Sequence, residues 1–527
     1  MQQQNLLVEY GARRVIITIT AIMCALLEIV DTTIVNVALN DMRGNLGATL
    51  TEVGWVITAY AIGNVIIVPM TSWLSQQFGR RNYFAASIIL FTVFSFLCGN
   101  ADNIWELVAF RFFQGIGGGA LLVTSQTIIT ESYPPEKRNM AQAIYGLGVI
   151  IGPTLGPPLG GFIVDNFSWP YIFYINIPIG VVATLLTLQF VRSPKYAEKA
   201  ASRDIDWLGI ALLAIAVGSL QYVLEKGQDD DWFNSQTIVI LCVMAVFGLF
   251  FFLWREWTFR KPIVELRVLR NGNLRVGTVL SFILGFGLYG STFIIPLYTQ
   301  STLGWTAQQS GMLFIPAALT TAVMMPLIGQ LLQRGVPQQY LVALGMLIFF
   351  AYSYWGFRII TPDTGKSAFF WMLIFRGIGM GLLFIPITAL SLSTLKGQQI
   401  GQGAAFTGMM RQLGGSFGIA VITTFLARRN MSHRSDLVSA LDSNDPNVMN
   451  RLTSIQHGFM AKGMPADQAL KAGYTTLDHI VTKQAGVLSY MDAFLWLGIM
   501  FLICIPFVLL VKGNKNVSKA AFAEGAH

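Results

Sequence analysis

Two carboxylates, Glu28 and Asp31, stand three residues apart inside a predominantly apolar run, residues 15–39. At i and i+3 of a helix they share one face. A carboxylate at mid-membrane costs at least about 2.5–3.5 kcal/mol on insertion scales, so a pair of them should point into a protein interior or a watered cavity. That makes the pair a candidate proton site. A third charge, Arg111, lies about two turns into another apolar run, 105–129, with Gln114 one turn further along the same side. Burial favours the protonated form of a carboxylic acid and a nearby guanidinium favours the ionised form, so an Asp31 facing Arg111 would be held between opposed influences. A proton-coupled pump needs such poise. The alternative for Arg111 is helix packing or the anchoring of a loop. Gln114 can both donate and accept.

Other chemistries lack their residues. His433, His457, His479 and His527 fall outside the apolar runs, which leaves a carboxylate as the proton carrier. Cys24, Cys98, Cys242 and Cys504 lie within or at the ends of apolar runs, where a free thiol behaves as a small hydrophobe, so neither a disulfide nor a metal site is expected. No Gly-x-x-x-x-Gly-Lys-Ser/Thr loop is present to cradle ATP, and His-Glu-x-x-His is absent too. Glu28 and Asp31 have no His, Cys or Ser constellation beside them, so no catalytic residues and no cofactor are expected. A net charge of +8 would suggest nucleic acid in a soluble protein, but a chain that is 54% hydrophobic and 12% charged is an integral membrane protein. No nucleic-acid partner is expected.

The elements that must position these residues are membrane helices. Fourteen runs are long enough to cross the hydrocarbon core: 15–39, 53–74, 83–98, 105–129, 140–164, 171–191, 207–224, 237–254, 276–297, 311–332, 340–357, 368–390, 403–425 and 490–511. The first carries no cleavage signal, so the N-terminus should stay attached. Placing both termini in the cytoplasm puts Arg13, Arg14, Arg80, Arg81, Lys137, Arg138, the 192–203 basics, the 255–275 cluster and the C-terminal lysines inside, and only Arg43, Lys226, Arg358 and Lys366 in short outer loops. Gly115-Ile-Gly-Gly-Gly-Ala-Leu121 recurs as Gly377-Ile-Gly-Met-Gly-Leu-Leu383, and Ser72-Trp-Leu-Ser-Gln-Gln has a weaker echo in Gly329-Gln-Leu-Leu-Gln-Arg at a similar offset. Duplication explains this better than chance likeness between Gly-rich helices. The expected organisation is a six-helix half over 13–192, two extra helices with a basic linker over 193–270, and a second six-helix half over 271–512. That second half includes an external loop at about 427–489. The fold is all-α, with a midplane site between the halves.

Secondary features follow. The 255–275 segment mixes apolar and basic residues and suits the inner membrane surface. Within the external loop, 465–481 carries Leu470, Tyr474, Leu477 and Val481 at helical spacing and predicts a short amphipathic helix. It either caps its own domain or touches a partner. In the fifth run Gly148, Gly152, Gly156 and Gly160 recur every four residues and clear one face for a close neighbour. Pro153, Pro157 and Pro158 remove backbone donors and should bend that helix. Arg376 and Arg411, each shortly before glycines, either meet carbonyls or line a cavity, and Arg411 has the further option of snorkelling. Tyr60, Tyr145, Tyr289, Phe293, Tyr298 and Trp355 are candidate cavity aromatics.

Several stretches together resemble the fourteen-span drug:proton antiporters of the major facilitator superfamily. They are Leu27-Glu-Ile-Val-Asp-Thr-Thr-Ile-Val-Asn-Val-Ala-Leu39, Arg111-Phe-Phe-Gln-Gly-Ile-Gly, Gly148-Val-Ile-Ile-Gly-Pro-Thr-Leu-Gly-Pro-Pro-Leu-Gly-Gly161, Trp169-Pro-Tyr-Ile-Phe-Tyr-Ile-Asn-Ile-Pro-Ile-Gly180 and Arg411-Gln-Leu-Gly-Gly-Ser-Phe-Gly418. The resemblance runs nearly end to end, and the loop with Gly463-Met-Pro-Ala-Asp-Gln-Ala is most similar to the EmrB-like inner-membrane exporters. It implies the major facilitator fold and proton-driven efflux of lipophilic or amphiphilic compounds from the inner membrane. A periplasmic adaptor and an outer-membrane channel are the implied partners. Proton coupling falls to Asp31, Glu28 and Arg111, and a seal between the halves to Gly148, Gly152, Pro153, Gly156, Pro157, Gly160 and Gly161. From the residues themselves, Gln114, Tyr289, Phe293 and Arg411 are the candidate substrate-cavity residues. Ser72 and Gln76 stand where the family's loop motif usually has Gly and Asp, which puts the Asp-mediated cytoplasmic latch in question. Asn40 stands where a Pro is expected.

Overall fold

A computed structural model describes residues 8–194, 205–259, 262–442 and 445–510, and among these the chain is helical, without strands. The predicted end at Val511, the C-terminal lysines, His527, most of the 192–206 linker, and Arg260 and Lys261 lie outside the described residues. In chain order the helices of the first half are α1 (Gly11–Asn45), α2 (Leu50–Phe78), α3 (Arg80–Gly99), α4 (Ile104–Ser132), α5 (Arg138–Asn166), α6 (Tyr171–Tyr174) and α7 (Asn176–Phe190). Then come α8 (Trp207–Lys226) and α9 (Gln236–Thr258). The rest are α10 (Gly272–Ser301), α11 (Ala307–Met312), α12 (Ile315–Gln333), α13 (Gln338–Ile359), α14 (Ala368–Leu392), α15 (Gln398–Ser439), α16 (Pro446–Met460) and α17 (Ala466–Leu510).

Thirteen of these segments are long and apolar enough to cross a membrane, the sixth being α6 with α7 and the tenth α11 with α12. They match thirteen of the fourteen predicted runs. The run 403–425 lies within α15 but falls short in apolarity, because Gly403, Gly408, Arg411, Gln412, Gly414, Gly415 and Gly418 interrupt it. Its surroundings explain the composition. α15 packs against α2, α4, α8, α10, α14 and α17, so little of it needs a lipid-facing surface.

Local chemistry sets the helix starts. Thr49 and Glu52 form a reciprocal capping box at α2, and Asn103 accepts from the Glu106 backbone at α4. Gly79, at φ +80°, turns the chain between α2 and α3. α5 runs continuously from Arg138 to Asn166 through all three prolines.

The two halves repeat at the level of single contacts. Gly115 of α4 lies against the backbone of Tyr60 and Asn64 on α2, and its counterpart Gly377 of α14 against Ala317 and Thr320 on α12. Gly117 meets Ser87 and Phe91 of α3, and Gly379 meets Gly345 and Phe349 of α13. In each half one glycine-rich helix therefore lets two neighbours approach its backbone. The inserted pair, α8 and α9, pack on each other, and α8 lies against both α2 and α15.

One expectation fails outside the bundle. Residues 465–481 do not form a separate short helix: from Ala466 they are the opening of α17, 45 residues long. Between Ala466 and Ile505 no proline interrupts the hydrogen-bond ladder, so the helix continues into the last span. α15, at 42 residues, likewise runs past its span, and α16 packs on α17 through Leu452 and Gly473. The buried side of the α17 extension is Ala469, Gly473 and Val481, whereas Leu470 and Tyr474 of the predicted stripe are exposed.

Candidate functional site

α1, α3, α4 and α7 converge on Asp31, which is fully buried. Arg111 Nη1 donates to Asp31 Oδ2 at 2.6 Å, Gln114 Nε2 to Asp31 Oδ1 at 3.0 Å, and Asn176 Nδ2 to the same oxygen at 2.7 Å. Ser95 Oγ accepts from both amides, at 2.6 Å from Gln114 and 3.2 Å from Asn176. Arg111 Nη1 also donates to Gln114 Oε1 at 2.7 Å and Nε to the Val56 carbonyl at 3.3 Å. Its guanidinium lies 4.1 Å over the Tyr60 ring and 5.6 Å from that of Phe173. A buried ion pair survives desolvation only with such extra hydrogen bonds. Gln114, Asn176 and Ser95, the neutral members of the network, are also hydrogen-bonded to one another.

Glu28 is also buried but has a different partner: Asn64 Nδ2 of α2 donates to its Oε1 at 2.9 Å. Its methylene stem packs near Gly118, where the Tyr60 hydroxyl also approaches. Glu28 is within electrostatic reach of Arg411, on α15 of the second half. Arg411 is buried, with its guanidinium 5.3 Å over Phe384 of α14, so it does not snorkel to an end of the bundle. Tyr289 lies within the same electrostatic reach of Glu28 and Arg411 and packs on Gly415, while Phe293 is half-buried against the second half's core. Gln114 is hydrogen-bonded within the Asp31 network. The opening pair of carboxylates thus has separate hydrogen-bond partners, Asp31 with Arg111, Gln114 and Asn176 and Glu28 with Asn64.

The family model described as Major Facilitator Superfamily matches residues 21–419. The chain belongs to the major facilitator superfamily. It is 33% identical over 97% of its length to the multidrug export protein EmrB of Escherichia coli (strain K12), covering 98% of that protein. To the fatty acid resistance protein FarB of Neisseria gonorrhoeae it is 32% identical, over 95% of this chain and 97% of the relative. Among solved structures, the proton:xylose symporter XylE bound to 6-bromo-6-deoxy-D-glucose aligns with a TM-score of 0.58 at 15% identity, covering 94% of this chain and 96% of that one. That likeness bears on the fold alone. Within the superfamily the chain groups with the EmrB-like proteins.

Among its major facilitator motifs, the fifth-helix stretch divides into two faces. Gly148, Gly152, Gly156 and Gly160 pack against Ile22, Ile29, Thr33 and Ile34 of α1, within the first half. Pro157, Pro158 and Gly161 instead meet Gly311 and Gln308 of the second half. The latter group lies at a contact between the halves. Pro153 is part of the same continuous helix.

At the far ends of α2 and α15, Gln398 Nε2 donates to Gln76 Oε1 at 2.6 Å across the halves. A neutral amide pair therefore stands where the family's usual Asp would form the latch. Nearby, Arg80 and Glu131 form a buried ion pair within the first half.

Sequence reading found Asp31, Arg111 and Gln114 together but missed Asn176, Ser95 and Asn64. A neutral polar residue in a membrane run carries no alarm by itself. Asn176 did stand inside a family-like stretch, between Tyr174 and Pro178, and that was the available signal.

Proposed function

We propose that this chain exports lipophilic or amphiphilic compounds by alternating-access antiport driven by protons, with Asp31 as the proton carrier. The observation that carries the reading is the buried Asp31–Arg111 pair with its satellite amides. Protonation of Asp31 removes the negative charge that holds Arg111 Nη1, leaving Arg111 to Gln114 Oε1 and the Val56 carbonyl. Asp31, Arg111 and Asn176 come from α1, α4 and α7, so a change in the pair alters how three helices of the first half are tied. α1 transmits this to α5 through the glycine face, and α5 meets the second half through Pro157, Pro158 and Gly161. Glu28, held by Asn64, meets the substrate or assists the proton. One proton crossing 100 mV supplies about 2.3 kcal/mol, and a pH gradient adds to it.

The chain acts in the inner membrane with both termini cytoplasmic. On this reading the projecting ends of α15 and α17, with α16, face the periplasm and meet an adaptor, as the inner-membrane part of a tripartite pump with an outer-membrane channel. A narrower cargo, such as a fatty acid, is the second reading, favoured by the name of the FarB relative. A single metabolite or a siderophore would use the same machinery. An importer fits less well with the exporter relatives.

The test is proton release on substrate binding by the solubilised protein, followed with a pH-indicator dye in weak buffer. Wild type should release protons when an amphiphilic cation is added, and Asp31→Asn should release none. Equal release by the two proteins would remove Asp31 from the role.

A further inference from the structure

The matching register of the halves makes their polar centres comparable. Residues just before the paired glycines Gly115 and Gly377 are Gln114 in α4 and Arg376 in α14. One turn beyond the paired Phe91 and Phe349 stand Ser95 in α3 and Ser353 in α13. In the first half these positions serve Asp31 on α1. In the second, α10 presents Ser291 and Thr292 to Arg376 instead of an acid.

Arg376 is only 4% exposed. Its Nε donates to Ser291 Oγ at 2.9 Å, and its Nη2 to Thr292 Oγ1 at 2.5 Å and to the Leu288 carbonyl at 3.4 Å. The guanidinium lies 5.1 Å over the Phe314 ring. Every one of these partners is uncharged, and Nη1 has no hydrogen bond among the described residues. None of the ion pairs among the described residues includes Arg376. Beside it, Tyr352 is fully buried, with its hydroxyl near Ser291 but making no well-formed hydrogen bond, and the Ser353 hydroxyl makes none either. The second half thus holds a buried cation and hydroxyls without well-formed hydrogen bonds at the register where the first half holds a neutralised network. A buried charge without a counter-charge is penalised by several kcal/mol, and guanidinium forks match carboxylates.

We propose that Arg376 and Tyr352, with the guanidinium held by Ser291 and Thr292, form a binding site for a monovalent anion in the second half. The shared chemistry is a compact negative group accepting from Arg376 Nη1 and the Tyr352 hydroxyl. It comes either from the carboxylate head of an amphiphile or from a free halide. The site involves neither Asp31 nor Glu28, so it stands or falls apart from the proton reading.

The experiment uses the purified full chain in a neutral detergent. Sodium laurate and dodecyltrimethylammonium are titrated by calorimetry, and thermal stability is compared in sodium chloride and sodium gluconate. If the anion is a substrate head, Arg376→Gln weakens laurate at least tenfold and leaves dodecyltrimethylammonium within twofold, and Tyr352→Phe weakens laurate several-fold. If it is a halide, chloride raises the wild-type melting temperature relative to gluconate, and Arg376→Gln abolishes that rise. Laurate affinity and chloride response both unchanged in Arg376→Gln would overturn the proposal. Should that variant not fold, Arg376→Lys and Tyr352→Phe replace it, and wild-type behaviour of both on both readouts overturns it equally.

Discussion

Replacing Asp31 by Asn perturbs the site with almost no change of shape, and its consequence can be worked from the contacts. Asp31 accepts from Arg111 at 2.6 Å, Asn176 at 2.7 Å and Gln114 at 3.0 Å, and both Asp31 and Arg111 are essentially inaccessible. An Asn amide keeps one acceptor but turns its NH2 toward donors, and it leaves the guanidinium buried without a counter-charge. Breaking a buried pair by removing one partner typically destabilises by about 3–5 kcal/mol. The same range applies to Arg111→Gln, which leaves the carboxylate alone. The double variant removes both charges, so its loss should be smaller than the sum of the singles by about 2–3 kcal/mol, at the upper end of coupling energies for touching residues. Equilibrium unfolding of the four proteins in mixed micelles closes the cycle. Strict additivity would refute the claim that the two charges support each other in the fold.

Glycine substitutions should act with opposite signs at two positions. A Cβ on Gly152 would lie 2.5 Å from Ile29 Cγ2, so Gly152→Val should destabilise by about 1–3 kcal/mol in the same unfolding assay. Gly486, within α17, has nothing within 4 Å of such a Cβ, and Gly486→Ala should be neutral or stabilise by up to about 1 kcal/mol. Gln76→Ala removes the amide bridge to Gln398 and should raise the rate at which a cysteine placed at Gly401, beside Ser72, reacts with a maleimide; an unchanged rate would mean that the bridge does not hold the halves. If the exposed Leu470 and Tyr474 contact an adaptor, replacing 465–481 with a Gly/Ser linker should lower its recovery in a pull-down, and undiminished recovery would remove that segment from the interface.

Charge in the wrong solvent is loud in a sequence, and this is why Asp31, Glu28 and Arg111 are legible in the chain alone. Their arrangement was partly legible too, since Gln114 follows Arg111 by one turn. Asn176 and Asn64 were not, because an amide costs far less in a membrane helix than a carboxylate and so leaves little trace in composition. The separation of Glu28 from Asp31 also escaped, as two residues on one face of α1 turn out to meet different neighbours, Asn64 of α2 and Gln114 of α4. Glycine spacing foretold a close approach along α5 but not its neighbour. That neighbour is α1, and Gly161 with Pro157 and Pro158 one turn before it reaches across to α11. Hydropathy located the spans well, yet it undervalued α15, whose surroundings are protein rather than lipid. It also stopped the last span too late at its N-terminal end, because an amphipathic start and an apolar finish read as two elements although one helix joins them.

The central claim is that Asp31 carries the coupling proton, and transport by reconstituted protein tests it most directly. Liposomes containing wild type, Asp31→Asn or Glu28→Gln are given an imposed pH gradient, and uptake of an amphiphilic fluorescent cation is followed. Wild type should accumulate the dye only while the gradient lasts, Asp31→Asn should show no response to the gradient, and Glu28→Gln should retain a weakened one. Gradient-driven accumulation by Asp31→Asn at the wild-type level would contradict the account.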